Sequence, residues 1–145
     1  MRALLDVNML VALLDVAHVH HRTATDWLVA HIEHGWASCP LTQNGCLRIL
    51  SQPAYPSPLP VPLARVVEHL QQAVADPSHV FWPDTVSLLE AERIRWRHLL
   101  TGRQLTDAYL LALAVAQGGR FVTLDRGVAV DAVKGATPDH LVRLG

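Results

Sequence analysis

The amino-acid sequence predicts an α/β domain in which helices cover both faces of a central, mainly parallel β-sheet. Short apolar runs of strand length alternate with segments of helical periodicity through the whole chain, which is the pattern of βαβ units. These runs are apolar at nearly every position, as expected for strands buried on both faces. One late helical segment is also apolar on nearly every face, which places it inside the domain.

Four strands are predicted, at 3–5, 36–39, 79–82 and 121–124. Pro40 and Pro83 directly follow the second and third strands, and proline cannot donate a ladder hydrogen bond. Asp6 and Asp125 directly follow the first and fourth strands. The ends of all four strands are therefore marked by the residue that comes next.

Helices are predicted at 9–14, 19–34, 63–75, 85–100 and 108–116, together with one that Thr42 caps and that carries residues 46–50. Asp107 opens the helix at 108–116, and glycines at 118 and 119 end it. The proline-rich stretch 53–62 cannot continue a helix and is predicted to be a stiff surface connection.

Length and composition indicate one globular domain spanning residues 1–145, because half of the residues are hydrophobic and 17% are charged. The net charge of -1 excludes a strongly basic nucleic-acid-binding arm, so any nucleic-acid binding requires local patches or bound metal. Cys39 and Cys46 are expected to be buried free thiols. No apolar run approaches the ~18 residues that span a bilayer, so we expect a cytoplasmic protein without membrane contact.

Three aspartates are predicted to converge at one edge of the sheet. Asp6 and Asp125 follow strands, and ligands of open α/β sheets bind in the crevice beyond the carboxyl ends of the strands. Asp107 lies in the first turn of the helix that leads into the fourth strand. Three such carboxylates would repel each other unless a cation neutralised them, and Mg²⁺ or Mn²⁺ prefers oxygen ligands.

Other interpretations fit the same aspartates. An aspartate after a strand is often a turn former, and one that opens a helix is often only a cap. A Rossmann-like phosphotransfer domain, such as a response-regulator receiver or an aspartyl-phosphate hydrolase, would use a similar layout. Such domains are expected to have a second acid at position 8, which is Asn8 here, and the only lysine is Lys134, late in the chain.

Candidate phosphate-binding residues are arginines. Arg48 and Arg126 lie nearest the predicted crevice and are possible RNA contacts. The densest basic stretch is Arg93, Arg95, Arg97, His98 and Arg103. On a helix at 85–100 these residues spread around the axis, so a solvated helix face is an equal alternative. The four tryptophans are interpreted as core or interface residues rather than as platforms for base stacking.

Three segments together resemble the VapC toxins of the PIN-domain superfamily. They are LLDVNMLVALL from Leu4, HGWASCPLTQNGCLRILSQPAY from His34 and LTDAYLLALAVAQGGRFVTLD from Leu105. The resemblance implies a three-layer α/β/α fold and a toxin of a type II toxin–antitoxin system that cleaves RNA with Mg²⁺ or Mn²⁺. It also implies a cognate VapB-like antitoxin and a homodimer.

The resemblance assigns roles to five positions. Asp6, Asp107 and Asp125 would be the catalytic, metal-binding carboxylates. Asn8 would orient Asp6, and Thr123 would orient Asp125.

One position departs from the family pattern. Many members place a glutamate three residues before the arginine of the second conserved segment, where this chain has Gly45. The loss could lower metal affinity, favour Mn²⁺ or recruit Asp84 or Glu90. It leaves open a catalytically weakened domain that binds RNA or a protein.

Overall fold

A five-stranded parallel sheet forms the centre of the computed structural model, which describes residues 1–56, 61–99 and 101–145. The strands are β1 (Ala3–Leu5), β2 (Trp36–Ser38), β3 (His79–Phe81), β4 (Arg120–Thr123) and β5 (Leu141–Arg143). Their order across the sheet is β3-β2-β1-β4-β5, and every neighbouring pair is parallel. The carboxyl ends of all five strands therefore meet at one edge.

The four predicted strands are confirmed, with ends that differ by at most one residue. The fifth strand was not predicted, because Leu141 is its only buried residue and the run is too short to show a period. It pairs with β4 through Val122 and Val142. β3 is predominantly exposed because it forms the opposite edge of the sheet.

Five of the six predicted helices are confirmed: α1 (Val7–Leu14), α2 (His21–His31), α3 (Pro40–Ser51), α4 (Leu63–Val74) and α5 (Leu105–Ala116). The prediction that Thr42 caps α3 is wrong. Pro40 occupies the first turn, where its missing N–H is not needed, and Cys39 is the cap. The buried Thr42 hydroxyl accepts a hydrogen bond from the Cys39 N–H (3.0 Å) and donates one to the Cys39 carbonyl (3.1 Å).

The predicted helix at 85–100 is wrong for the residues that the structure describes there. They form turns and a short 3₁₀ helix, Trp96–His98, and Ile94 forms an isolated antiparallel bridge to Val133. Backbone hydrogen bonds run to a distant segment instead of along a helix, from Arg95 N–H to the Ala132 carbonyl (2.8 Å), for example. Tertiary pairing has thus replaced the local helical pattern. Residue 100 lies outside the described residues.

The structure describes only part of the stiff connection predicted at 53–62. Residues 57–60 lie outside the described residues, and Pro53 and Ala54 form a turn directly after α3.

Two hydrophobic clusters flank the sheet and make three layers. On one face, Leu4 and Phe121 pack with α5, including Leu111 and Leu113. On the other face, the next strand residues pack against α1, α3 and α4; they are Ala3, Leu5 and Val122. This alternation follows from the two-residue period of a strand and confirms the predicted α/β/α architecture.

The helix predicted to lie inside the domain is α5, and this is confirmed. Its buried residues include Ala108 and the five consecutive positions 110–114. Among the helices in the described part of the chain, none is long and apolar enough to cross a membrane. The two cysteines are free and buried, as expected.

A tight crossover joins α5 to β4. Gly118 has a φ of 69°, in the left-handed region where glycine is favoured, and the Gly119 N–H donates to the Ala114 carbonyl (2.8 Å). A Cβ on Gly119 would lie 2.5 Å from the Arg2 carbonyl oxygen and 2.6 Å from the Trp82 ring. No side chain fits there unless the backbone beside β1 moves.

We expect Gly119→Ala to lower the free energy of unfolding by about 2 kcal/mol, because the added methyl overlaps backbone rather than a flexible side chain. Urea unfolding measures this. Gly102→Ala is the matched control, since a Cβ at Gly102 meets no atom within 4 Å. Equal stabilities for the two variants would contradict the close approach at Gly119.

Candidate active site

The three predicted aspartates lie at the carboxyl edge of the sheet. Asp6 directly follows β1, and Asp125 follows the neighbouring strand β4 with Leu124 between them. Asp107 is in the first turn of α5, the helix that leads back into β4. The charges of Asp6 and Asp125 both raise the pKa of Asp107, and the charge of Asp125 raises that of Asp6. The three carboxylates therefore form one electrostatic cluster.

Asp6 is a buried carboxylate with both oxygens hydrogen bonded. It is the N-cap of α1, where Oδ1 accepts the Val7 N–H at 2.7 Å. Oδ2 accepts the Thr123 hydroxyl at 2.6 Å. Burial raises the pKa of Asp6 more than these hydrogen bonds lower it. The same two hydrogen bonds hold the side chain in a fixed orientation.

Thr123, the last residue of β4, connects the cluster. A threonine hydroxyl has one donor and two acceptor sites, and all three are used here. The hydroxyl donates to Asp6 and accepts from Asn8 Nδ2 (3.2 Å) and from the Asp125 N–H (3.0 Å). Asn8 Oδ1 in turn accepts the Leu124 N–H at 3.2 Å. Thr123 thus contacts the carboxylate of Asp6 and the backbone of Asp125.

Asp125 is exposed and forms a turn. Its Oδ1 accepts the Gly127 N–H at 2.7 Å, which is the hydrogen bond of an Asx turn. The turn-forming role considered from the sequence is therefore present at Asp125. The capping role considered for Asp107 is not, because Gln104 is the N-cap of α5, and the aspartate that caps a helix is Asp6. The turn and the cap fix the carboxylates of Asp125 and Asp6 in place and do not remove them from the cluster.

Asp107 shows that the cluster is short of positive charge. Desolvation, followed by the charges of Asp6 and Asp125, raises its pKa from 3.8 to about 6. The all-carboxylate donor set suits a hard divalent cation. Within the described ranges, no group of three or more His, Cys, Asp or Glu side chains is close enough to enclose a metal ion. The residues thus fit an ion held by one or two carboxylates and water, which is how Mg²⁺ is commonly bound, rather than a closed cage.

Gly45 packs directly against the residue that follows Asp6. A Cβ at Gly45 would lie 2.6 Å from Cγ2 of Val7, so a longer side chain requires Val7 to move. Nothing in the sequence pattern pointed to this pairing.

The two acids considered as replacements are engaged elsewhere. Asp84 is exposed and accepts the Tyr109 hydroxyl at 2.8 Å. Glu90 accepts the Ser87 N–H at 3.0 Å and pairs with Arg93. Neither contributes to the shifted pKa of Asp107.

The two arginines predicted to contact phosphate lie on different elements. Arg48 is exposed on α3, one helical turn after Gly45. Arg126 directly follows Asp125, and its Nε donates to the carbonyl of Gly145 at 2.6 Å.

Comparison with known proteins gave consistent results. Residues 3–133 match the PIN domain family. The chain is 54% identical over 144 residues to Ribonuclease VapC44 of Mycobacterium tuberculosis, covering 99% of this chain and 100% of that protein. Ribonuclease VapC38 of the same species is 44% identical over 128 residues, covering 87% of this chain and 86% of the relative.

Two solved structures share the fold at low sequence identity. M. tuberculosis VapC20, described as a Sarcin-Ricin loop cleaving toxin, has a TM-score of 0.59 and 16% identity over 81% of this chain and 85% of that one. VapBC2 from Rickettsia felis, bound to a DNA fragment from its promoter, has a TM-score of 0.57 and 13% identity over 86% of this chain and 89% of that one.

We expect Asp107→Asn to stabilise the metal-free protein at pH 7.5. A carboxyl whose pKa is raised on folding is favoured in its protonated form, so its ionised charge destabilises the fold above about pH 6. After allowance for solvent screening we expect a gain of about 1 kcal/mol, or roughly 2–5 °C in Tm. The gain should disappear below about pH 3, where the carboxyl is protonated in both the folded and the unfolded chain. Thermal unfolding at the two pH values, with the exposed Asp139→Asn as control, measures this; a gain of the same size at both would contradict it.

Proposed function

This chain belongs to the PIN-domain family, in its VapC branch, and on that basis we propose that it is a divalent-cation-dependent ribonuclease, the toxin of a type II toxin–antitoxin pair. The cluster of Asp6, Asp107 and Asp125 at the carboxyl edge of the sheet is the observation that supports this best. A relative named as a ribonuclease matches the chain over 144 residues, at 54% identity.

The raised pKa of Asp107 supports the need for a cation. Burial and the charges of Asp6 and Asp125 oppose the ionisation of Asp107, and a positive charge added among the three carboxylates would offset that cost. Asp6, Asp107 and Asp125 would together hold Mg²⁺ or Mn²⁺, one or two of them by direct contact and the rest through bound water. When bound, such an ion lowers the pKa of a water molecule and offsets charge that develops on a phosphodiester.

The residues of the chain have separate tasks in this proposal. Two hydrogen bonds hold the Asp6 carboxylate in one orientation, and Thr123 also fixes the backbone of Asp125. Such preorganisation avoids the cost of ordering ligands during the reaction. Arg48, on α3, and Arg126, directly after Asp125, would contact phosphates of the substrate.

The partners proposed for the chain follow from its branch of the family. We infer a VapB-like antitoxin that holds the toxin inactive, in line with the fold shared with a VapBC complex, and a homodimer that acts on cytoplasmic RNA. The position of the only lysine in the sequence, Lys134, argues against the phosphotransfer alternative. This single lysine of the sequence pairs with Glu92, outside the carboxylate cluster.

We expect purified protein to cleave structured RNA with Mg²⁺ or Mn²⁺ and not with chelator. Asp6→Asn and Asp125→Asn should each lower the rate at least about a hundredfold, because each removes a negative charge that holds the ion. Asp84→Asn and Glu90→Gln are matched controls that should retain activity, since both acids are engaged elsewhere. A folded wild type that binds RNA but is as inert as the variants would instead favour the binding-module alternative left open by Gly45.

Variants of Thr123 test the orientation of Asp6 without changing any of the three carboxylates. Thr123→Val keeps the buried shape but removes the donor to Asp6 and the acceptor for two N–H groups. We expect cleavage or metal affinity to fall about 10–100-fold. Thr123→Ser keeps the hydroxyl and should stay within about threefold of the wild type. Titration with Mn²⁺ alongside cleavage assays measures both; equal behaviour of the two variants would remove the role assigned to the hydroxyl.

A further inference from the structure

The basic stretch near residue 95 surrounds an open cleft instead of being spread around a helix. The cleft has a volume of about 530 Å³, within the usual range of ligand sites. Its lining residues are Ile94, Arg95, Trp96, Arg97, His98 and Lys134. Four of the six residues that line it therefore carry basic side chains.

Trp96 differs from the tryptophans of the core. It is 49% exposed, whereas Trp36 and Trp82 are 4% and 6% exposed. A tryptophan left in water forgoes the stabilisation that its burial would give. Of the two roles expected for the tryptophans, core or interface, Trp96 does not have the first, and its indole is available to a ligand.

The charges in the cleft are partly fixed by the fold. Arg95 donates to the Asp131 carbonyl at 2.9 Å, and Lys134 pairs with Glu92. Glu92 therefore places one negative charge beside the cleft, and Arg95, Arg97 and Lys134 place three positive charges there. The local charge is positive in a chain whose net charge is -1.

The cleft is tied to the segments that carry two of the clustered aspartates. Besides the Ile94–Val133 bridge, the Lys134 N–H donates to the Arg93 carbonyl at 3.0 Å. Residues 130–134 follow the Asp125 turn, and the segment after 99 leads through Gly102–Gln104 into α5. RNA in the cleft would therefore bind beside the same two chain segments as the carboxylates.

We propose that this cleft is a second RNA-binding subsite, in which an unpaired base stacks on Trp96 and its phosphates contact Arg97 and the neighbouring cations. This inference rests on the proposed ribonuclease function and adds that the substrate is single-stranded there. An exposed indole among guanidinium groups matches unpaired bases, since every base offers a π face and every nucleotide a phosphate. An acidic peptide would use the cations but gain little from the indole.

The test is equilibrium binding of a fluorescein-labelled single-stranded RNA of about ten nucleotides, in chelator so that cleavage cannot occur. Trp96→Ala should weaken binding about tenfold, and Trp96→Phe, which keeps a stacking ring, should stay within about threefold. Arg97→Ala should weaken binding and reduce the slope of log K against log salt by about 0.7. Leu89→Ala and Arg22→Ala are matched controls for removing an exposed apolar and an exposed charged side chain, and both should bind as the wild type does.

Three results of the binding experiment would overturn the subsite. It is excluded if wild type does not bind this RNA, or if Trp96→Ala binds as tightly as Leu89→Ala. It is also excluded if a glutamate-rich peptide competes for the site and Trp96→Ala weakens peptide and RNA alike, which would indicate a protein partner. Cleavage with Mg²⁺ is measured separately. If RNA binding depends on Trp96 but no cleavage occurs, the subsite is retained and the nuclease is rejected. If cleavage occurs but RNA binding does not depend on Trp96, the nuclease is retained and the subsite is rejected.

Discussion

The hydrogen bond between the Thr123 hydroxyl and the Asp6 carboxylate is the contact on which the site depends. It joins the ends of two neighbouring strands, at 2.6 Å, and Thr123 is fully buried. A buried carboxylate is tolerated only when its oxygens are hydrogen bonded, and Asp6 satisfies that condition through Thr123 and the first turn of α1. The same hydrogen bond therefore links the ends of β1 and β4 and orients the acid.

Features that follow from local sequence were predictable. Asp6 and Asp125 could be placed at strand ends because the apolar runs stop beside them, and the parallel layout then brings those ends to one edge. The burial of α5 followed from its lack of a polar face. Each of these conclusions needs only the order of residues along a short segment.

Features that depend on distant partners were not predictable. Segment 85–99 has a helical pattern, yet its backbone pairs with residues 132–134 and Glu92 adopts a positive φ of 66°. β5 is defined by pairing with β4, not by its own three residues. At the site, the resemblance linked Thr123 with Asp125, but only the structure showed that its hydroxyl donates to Asp6. The contact of Gly45 with Val7 is equally invisible in one sequence.

The pairing of β1 with β4 also has a consequence during protein synthesis. Asp6 and Thr123 are 117 positions apart, and Leu5 aligns with Val122. Ribosomes add roughly 5–20 residues per second, so several seconds separate the emergence of the two halves of the site. A nascent chain has no assembled carboxylate cluster until β4 and Asp125 have been made. A prematurely terminated product that lacks β4 would therefore be harmless to the RNA around it, and the proposed activity would arise only after β4 has been synthesised.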